Sequence, residues 1–402
     1  MSKATKELRT ICIGEDVRIH YNLSSQQLQG QSVLPIIFIG FVSRDGLRLS
    51  SSFILNCWLT CKINDCSAMT LFDTLVKLLT DSLLNCTNAA EIPHASDYLS
   101  QLPTSFVIAL ILATVICLAT ASLGVLHILY ISVYITQSDR RLFILFLAST
   151  APFVSMLSLV AMYMPRVWFL SHLISFLYFS VALWIIICLL MQIFEGHHSL
   201  VSKMSEHLQH IEVATPPFCC VFPCLPKIQL ESKKVRICEL MVLQAPCVRL
   251  FATLASLVIY FEYQDKGLIP LKVLDFITLP SLLAGIYGTH ILVTTVSRLD
   301  ELISYRYIVV FRILDLFFMF FGLQQPVFDF LARYGAFGCG TVLPAIETSF
   351  FWKNFFTVIE SFFVTLISTI LLQPSKSSFF DKHPSCRSIT SSRNSHTNET
   401  PT

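Results

Sequence analysis

Seven apolar runs of about twenty or more residues follow one another from about residue 105 onward, and that pattern decides the class of fold. They lie near 105–135, 142–164, 167–194, 240–262, 270–297, 305–332 and 348–372. A hydrocarbon core of about 30 Å asks for about 20 such residues at about 1.5 Å rise per residue, so each run is long enough to cross a bilayer as a helix. Composition agrees: 54% of the 402 residues are hydrophobic, 13% are charged and 33 are Phe, which is outside the range of soluble domains. Met164-Pro165-Arg166 is all that separates the second and third runs, and it reads as a tight helical hairpin because proline cannot continue the hydrogen-bond ladder. A net charge of +2, with no basic stripe interleaved with aromatics, gives nucleic acid no binding surface.

Basic residues fix the expected orientation, because loops rich in Lys and Arg stay in the cytosol. Arg140, Arg141, Lys203, Lys227, Lys233, Lys234, Arg236, Arg298, Arg306, Lys376, Lys382, Arg387 and Arg393 fall on one face; Arg166, Lys266, Lys272 and Arg333 fall on the other. The expected protein is therefore an all-α membrane protein of seven transmembrane helices, N-terminus outside and C-terminus cytosolic. Residues 1–104 then form an extracellular region without a cleavable signal, since Met1 to Gln31 is polar. Within that region Val33 to Val42 is too short to span, and Met69, Phe72, Leu75, Val76, Leu79 and Leu83 share one face of an amphipathic helix over 69–84. The tail 373–402, rich in Ser, Thr and Asn, reads as disordered and cytosolic.

Topology sorts the 14 cysteines. Cys12, Cys57, Cys61, Cys66, Cys86 and Cys339 face an oxidising compartment, where disulfides persist in a pairing that sequence leaves open. Cys117, Cys188 and Cys247 read as small apolar core. On the same face Asn85-Cys86-Thr87 and Asn22-Leu23-Ser24 are glycosylation sequons, which makes Asn85 and Asn22 the acceptor candidates. In the cytosolic loop 195–239, Ala214 to Pro226 packs Cys219, Cys220 and Cys224 among four prolines. With His197, His198, His207 and His210 upstream, these thiols invite a zinc reading, but their spacing is not that of a tetrahedral knuckle. Beside an apolar Phe-Val-Phe run and a basic flank they suit S-acylation to the inner leaflet; an unmodified, proline-stiffened loop is the bland alternative.

Ionisable groups at membrane depth are costly and mark paths or partners. Glu360 stands near the middle of the seventh run. Arg312 and Asp315 are three apart on the sixth and are placed to neutralise each other. Further along the sixth, Gln324, Gln325 and Pro326 interrupt its apolar character, and the proline frees a carbonyl. These six residues are the path candidates, and each has a purely structural reading as a helix-to-helix tie. Arg249 joins Arg312 as a candidate cation. His127, His172 and His290 read as polar groups satisfied by neighbours, Gly285 and Gly288 as points of close helix approach, and Arg166 as either an interfacial anchor or a guide for anions.

An ordered set of motifs accompanies the loop: Ser149-Thr150-Ala151-Pro152-Phe153-Val154-Ser155, Pro165-Arg166, Ser175-Phe176-Leu177-Tyr178, Glu195-Gly196, the Cys/Pro segment with Lys233-Lys234 behind it, Leu323-Gln324-Gln325-Pro326-Val327-Phe328 and Ile359-Glu360-Ser361-Phe362. In their order and topology, over about residues 105–372, these resemble the organic solute transporter alpha-subunit family. The N-terminal region is longer and the cysteine segment sparser than in that family. The resemblance implies a seven-helix plasma-membrane subunit that pairs with a small single-span beta subunit and moves steroid conjugates, bile-acid-like or other amphipathic anions by facilitation, with no cofactor. No Gly-x-x-x-x-Gly-Lys-Ser/Thr cradle for a nucleotide exists in the chain. A seven-helix receptor is the nearest competitor, but Glu195-Gly196-His197-His198 stands where an Asp/Glu-Arg-Tyr triplet belongs, and Asn-Pro-x-x-Tyr is missing from the seventh run. A non-transporting membrane organiser is the other alternative. An enzyme is not expected, as neither His-Glu-x-x-His nor Gly-x-Ser-x-Gly occurs.

Overall fold

The computed structural model describes residues 93–207, 210, 211, 213, 215, 228–263, 268–299, 301–337 and 342–382. Among them are 7 helices long and apolar enough to cross a membrane: Thr104–Tyr134, Ser138–Tyr163, Pro165–Ile193, Ser232–Tyr263, Val273–Val296, Tyr307–Tyr334 and Ala345–Leu371. They are called here the first to the seventh span. The expected helix over 69–84, Val33 to Val42, the outer cysteines, Asn22, Asn85, Cys219, Cys220 and Cys224 lie outside the described residues.

The first, second and seventh spans pack on one another, with the sixth against the seventh. The fourth and fifth form a close pair against the third, and the second joins the two groups through the third. The third is accordingly the centre of the bundle. In its most apolar window 72% of residues are buried, against 28% in the first span, although both have a mean hydropathy of 2.6. Phe176, Phe179, Leu183, Ile186 and Leu190 carry that core and meet Phe317, Phe318 and Phe321 of the sixth span. Tyr307 pins the sixth span to the third by donating its hydroxyl to the Ile186 carbonyl at 2.9 Å.

Glycine sets the close pair. A Cβ on Gly285 would come within 2.6 Å of Ala245 Cβ, and one on Gly288 within 3.0 Å of the Cys238 carbonyl, so these fifth-span glycines let the fourth span approach backbone to backbone. On the other side of the bundle a Cβ on Gly124 would meet Pro152 Cγ at 2.9 Å, seating the first span on the kink residue of the second. The third span ends in a Schellman turn: Gly196 N–H donates to the Met191 carbonyl at 2.8 Å and Glu195 N–H to the Gln192 carbonyl at 3.3 Å. Glu195 itself takes the left-handed position there, with φ 59.

The fourth span begins at Ser232, earlier than hydropathy alone indicates, because its polar first two turns are helical before they turn apolar. This brings Cys238 inside a helix and buries it, whereas Cys247 of the same span is exposed on the bundle's outer face rather than in the core. The rest of the expected loop is partly structured. His197–His207 is a helix whose Leu200 and Met204 are fully buried, and β1 (His210–Ile211) pairs antiparallel with β2 (Ile228–Gln229). Residues 373–382, read from sequence as the start of a disordered tail, are folded back on the bundle, with Phe379 and Phe380 buried in its core. Ser378 N–H donates to the Ser304 carbonyl at 3.0 Å and Lys382 N–H to the Tyr134 carbonyl at 3.1 Å. The bundle therefore has a tail end, carrying this segment, residues 194–207 and residues 228–231, and a hairpin end, carrying Pro165–Val167.

Candidate functional site

The hairpin-end half of the bundle holds a buried polar network that crosses three helices. Its hub is Lys353 in the seventh span, 2% exposed. The ammonium donates to Gln325 Oε1 of the sixth span at 2.7 Å and to His172 Nδ1 of the third at 3.0 Å. An ammonium has no lone pair, so His172 Nδ1 is the acceptor and the ring proton sits on Nε2. Gln325 Nε2 in turn donates to Asp329 Oδ1, one turn on, at 3.1 Å. Helical spacing places Thr357 and Glu360 on the Lys353 face, at i+4 and i+7. Thr357 Oγ1 lies 3.1 Å from Gln324 Oε1 and 3.0 Å from the Lys353 carbonyl, and Gln324 Nε2 donates to Glu360 Oε1. The two glutamines of the sixth span thus read opposite ends of the same face, one holding the cation and the other the carboxylic group.

A second cation approaches from the other side. Arg249 of the fourth span is 7% exposed and donates from Nη1 to Thr278 Oγ1 of the fifth at 3.2 Å. Its carboxylate neighbour, Asp275 Oδ1, is 3.6 Å away on a side chain 46% exposed, so this pair is loose and partly screened. The guanidinium stands 4.7 Å from the centre of the Phe176 ring, and the Lys353 ammonium 4.8 Å from that of Phe321. The two rings meet edge to face at 5.1 Å. Two buried cations therefore flank one aromatic pair, an arrangement worth up to about 2 kcal/mol per desolvated cation–ring contact.

Several buried atoms around this network have no hydrogen-bond partner: Glu360 Oε2, Ser361 Oγ, Ser175 Oγ, Ser155 Oγ and Arg249 Nε. They belong to the second, third, fourth and seventh spans. Native interiors satisfy nearly all such groups through protein or ordered water, so these atoms are open to water or to a polar solute.

Of the six path candidates, Glu360, Gln324 and Gln325 come together in this network, and Pro326 adjoins them on the exposed side of the sixth span. Arg312 and Asp315 do not neutralise each other. Asp315 Oδ1 is bound by His290 Nε2 of the fifth span at 2.9 Å, while Arg312 is exposed and lies against the Phe311 ring. A partner on a neighbouring span outcompetes one on the same helix because it needs no bend of the arginine stem back along its own surface. All three lone histidines are held across spans: His127 Nε2 meets Thr369 Oγ1 at 2.8 Å, His172 meets Lys353 and His290 meets Asp315. Ser149 and Tyr178, distant in sequence, are joined at 2.7 Å, with Tyr178 stacked on Phe146. Arg166 is an exposed anchor at the hairpin, its Nη1 3.4 Å from His94 Nε2 and its carbonyl accepting from the Tyr260 hydroxyl at 3.3 Å. His197 bonds Glu239 at 2.6 Å and Ser232 at 3.1 Å, and among the described residues no cluster of His, Cys, Asp and Glu is arranged to hold a metal.

Sequence reasoning missed Lys353, Asp275 and Asp329. Each sits within a few residues of an expected helix end, where a charge reads as an interfacial anchor with its head in water. For Lys353 the available signal was its setting, Phe350-Phe351-Trp352-Lys353-Asn354-Phe355-Phe356, which leaves the stem no polar side to snorkel along.

Residues 109–377 match the family model described as organic solute transporter Ostalpha. The chain is 75% identical over 327 residues to organic solute transporter alpha-like protein 2 of Caenorhabditis elegans, covering 81% of this chain and 96% of that one. It is 29% identical over 308 residues to alpha-like protein 3 of the same organism, covering 76% and 88%. With organic solute transporter subunit alpha of Danio rerio it shares 22% over 290 residues, covering 70% and 86%. No solved structure matches.

Proposed function

Because the chain belongs to the organic solute transporter alpha family, we propose that it is the seven-helix subunit of a facilitative transporter whose solute is an amphipathic organic anion of the steroid-conjugate or bile-acid-like class. The observation that carries this reading is Lys353: an ammonium buried at membrane depth among aromatic rings and held by a neutral amide and an imidazole. Asp329, the carboxylate of its network, is hydrogen-bonded to the Gln325 amide and acts on the ammonium through space. Burying an ammonium without a directly paired anion is expensive, and the cost is retained where the anion is a solute that arrives and leaves. Arg249 supplies a second positive group on the far side of the Phe176–Phe321 pair, whose faces suit a fused-ring body. Loose attachment at two points, rather than one closed salt bridge, favours release, which facilitated flux in both directions needs.

The same reading places the N-terminus outside and the C-terminus in the cytosol of a plasma-membrane protein, on the asymmetry of Lys and Arg. It pairs the chain with a single-span beta-type subunit, for which the thinly covered first span, 28% buried, offers a surface. Acylation of Cys219, Cys220 and Cys224 and glycosylation of Asn22 and Asn85 belong to this proposal as well. The test is uptake and efflux of a labelled steroid sulfate in cells that co-express the chain with candidate single-span partners. Symmetric, ATP-independent, partner-dependent flux that Lys353→Met abolishes supports the assignment. Flux unchanged by that substitution removes Lys353 from the path, and absence of flux with any partner favours the membrane organiser.

A further inference from the structure

The opposite, tail end of the bundle holds a cavity of about 90 Å³ between the first, second, third, sixth and seventh spans. Leu147, Leu189, Ile313, Leu314 and Val364 are among its apolar lining, and Thr150, Thr365 and Ser368 line it too. Its lining includes the chain's own Phe379 and Phe380, both almost wholly buried. These rings are delivered by the folded-back segment after the seventh span. Among the bonds that hold that segment are Ser377 Oγ–H to the Tyr305 carbonyl at 2.9 Å, Ser378 N–H to the Ser304 carbonyl, Thr136 N–H to Asp381 Oδ1 at 3.0 Å and Lys382 N–H to the Tyr134 carbonyl. The segment is irregular chain with no helix or strand of its own, so its release costs no secondary structure.

A file of packed rings leads from the cavity to the cation site. Phe317 lines the cavity and touches Phe179 at 5.1 Å, Phe179 touches Phe321 at 5.2 Å, and Phe321 lies under the Lys353 ammonium.

We infer that the tail-end cavity is a second solute site, one that takes the apolar ring body of an amphipathic anion, and that Phe379 and Phe380 are an intramolecular plug occupying its mouth. Residues 373–382 withdraw for a solute to pass between this site and the tail-end surface. The inference rests on the transport reading above for the identity of the solute, but the cavity can be probed without flux.

Two measurements on the full chain with its partner test it. The first locks the plug: Thr136→Cys and Asp381→Cys, adjacent by the 3.0 Å contact of those residues, are joined with a copper-phenanthroline oxidant. Flux of the labelled steroid sulfate falls about tenfold or more when a lid is tethered shut and returns on reduction; either single cysteine variant controls for the 14 native thiols. The second opens it: Phe379→Ala with Phe380→Ala, treated with an aryl-diazirine benzoate photoprobe and mapped by mass spectrometry, gains labelling at Leu147 and Val364, whereas the parent does not. A tether that leaves flux untouched, or labelling equal in parent and variant, overturns the inference while leaving the transport reading intact. A parent without flux but with variant-specific labelling overturns the transport reading and keeps the cavity.

Discussion

The two ends of the bundle solve the same problem, polar groups inside a membrane, in opposite ways. At the tail end the ionisable groups close on each other: His290 meets Asp315 at 2.9 Å and His197 meets Glu239 at 2.6 Å. At the hairpin end Lys353 leans on an amide and an imidazole, and Arg249 on a threonine and a half-exposed aspartate. The seventh span runs through both, with Lys353, Asn354, Thr357 and Glu360 in one half and Val364, Thr365 and Ser368 in the other. Pairs in which each group answers the other read as structure, even though His290 Nδ1 is left without a hydrogen-bond partner. A buried cation held by neutral groups keeps its attraction for an anion, and the contrast between the ends is the reason for placing the headgroup site at only one of them.

The largest effect that tests this contrast is at Lys353. Lys353→Met removes the charge and keeps most of the volume, and steroid-sulfate flux is expected to fall about ten- to a hundredfold, the equivalent of a charged hydrogen bond worth about 1.5–3 kcal/mol. Lys353→Arg restores part of it, since the charge returns in a geometry that no longer fits Gln325 and His172. Detergent-solubilised yield and the melting profile check that the Met variant folds; equal loss of yield and flux would move Lys353 to the structural column. Arg249→Gln is next, with a several-fold loss of flux. Combined with Lys353→Met it costs less than the product of the two, because both cations act on one headgroup across the Phe176–Phe321 pair. Full multiplicativity in that cycle would separate the two cations into independent roles.

Asp315 provides the opposite limb. Asp315→Asn leaves His290 with a neutral partner, and the expected result is lower thermal stability by about 1–3 kcal/mol, the cost of weakening a buried hydrogen-bonded pair, with the half-saturating solute concentration unchanged. A fall in flux as large as the one expected at Lys353 would erase the distinction between the ends. Gly285→Leu tests the frame that both ends share: overpacking at the 2.6 Å approach to Ala245 is expected to cost about 1–3 kcal/mol and to part the fourth and fifth spans, displacing Arg249 from Thr278.

The frame was largely readable from hydropathy, and the site only in part, for a physical reason that particular residues make plain. Length and apolarity alone mark a span, so all seven were visible. Rank within the bundle was not: the first and third spans share a mean hydropathy of 2.6, yet one is mostly lipid-facing and the other central. Hydrocarbon and protein interior are equally apolar, so composition does not tell them apart. Glu360, Gln324 and Gln325 stood out because they interrupt the middle of runs. Lys353, Asp275 and Asp329 did not, because near a helix end the same charge serves equally as an anchor, and only the neighbouring spans turn it inward. Arg312 shows the converse error: proximity in sequence suggested a partner that the fifth span supplied to Asp315 instead.

The smallest predicted effect concerns the end of the third span, and it asks whether the tail end contributes to transport through its framework or only through its cavity. Glu195 holds a left-handed conformation with φ 59, which costs an L-residue with a Cβ about 1 kcal/mol relative to glycine. The Schellman bonds from Glu195 and Gly196 use backbone atoms alone, so they survive any side chain at 195. Glu195→Gly is therefore expected to raise thermal stability by up to about 1 kcal/mol, less the entropy that glycine adds to the unfolded chain, and to leave flux unchanged. If flux falls while stability rises, the Glu195 carboxylate acts at the tail-end surface, and the division into a functional end and a framework end has to be redrawn. If neither quantity moves, the strain is borne without cost by the packing of Phe194, 1% exposed, against the helix of residues 197–207 and the core beside it.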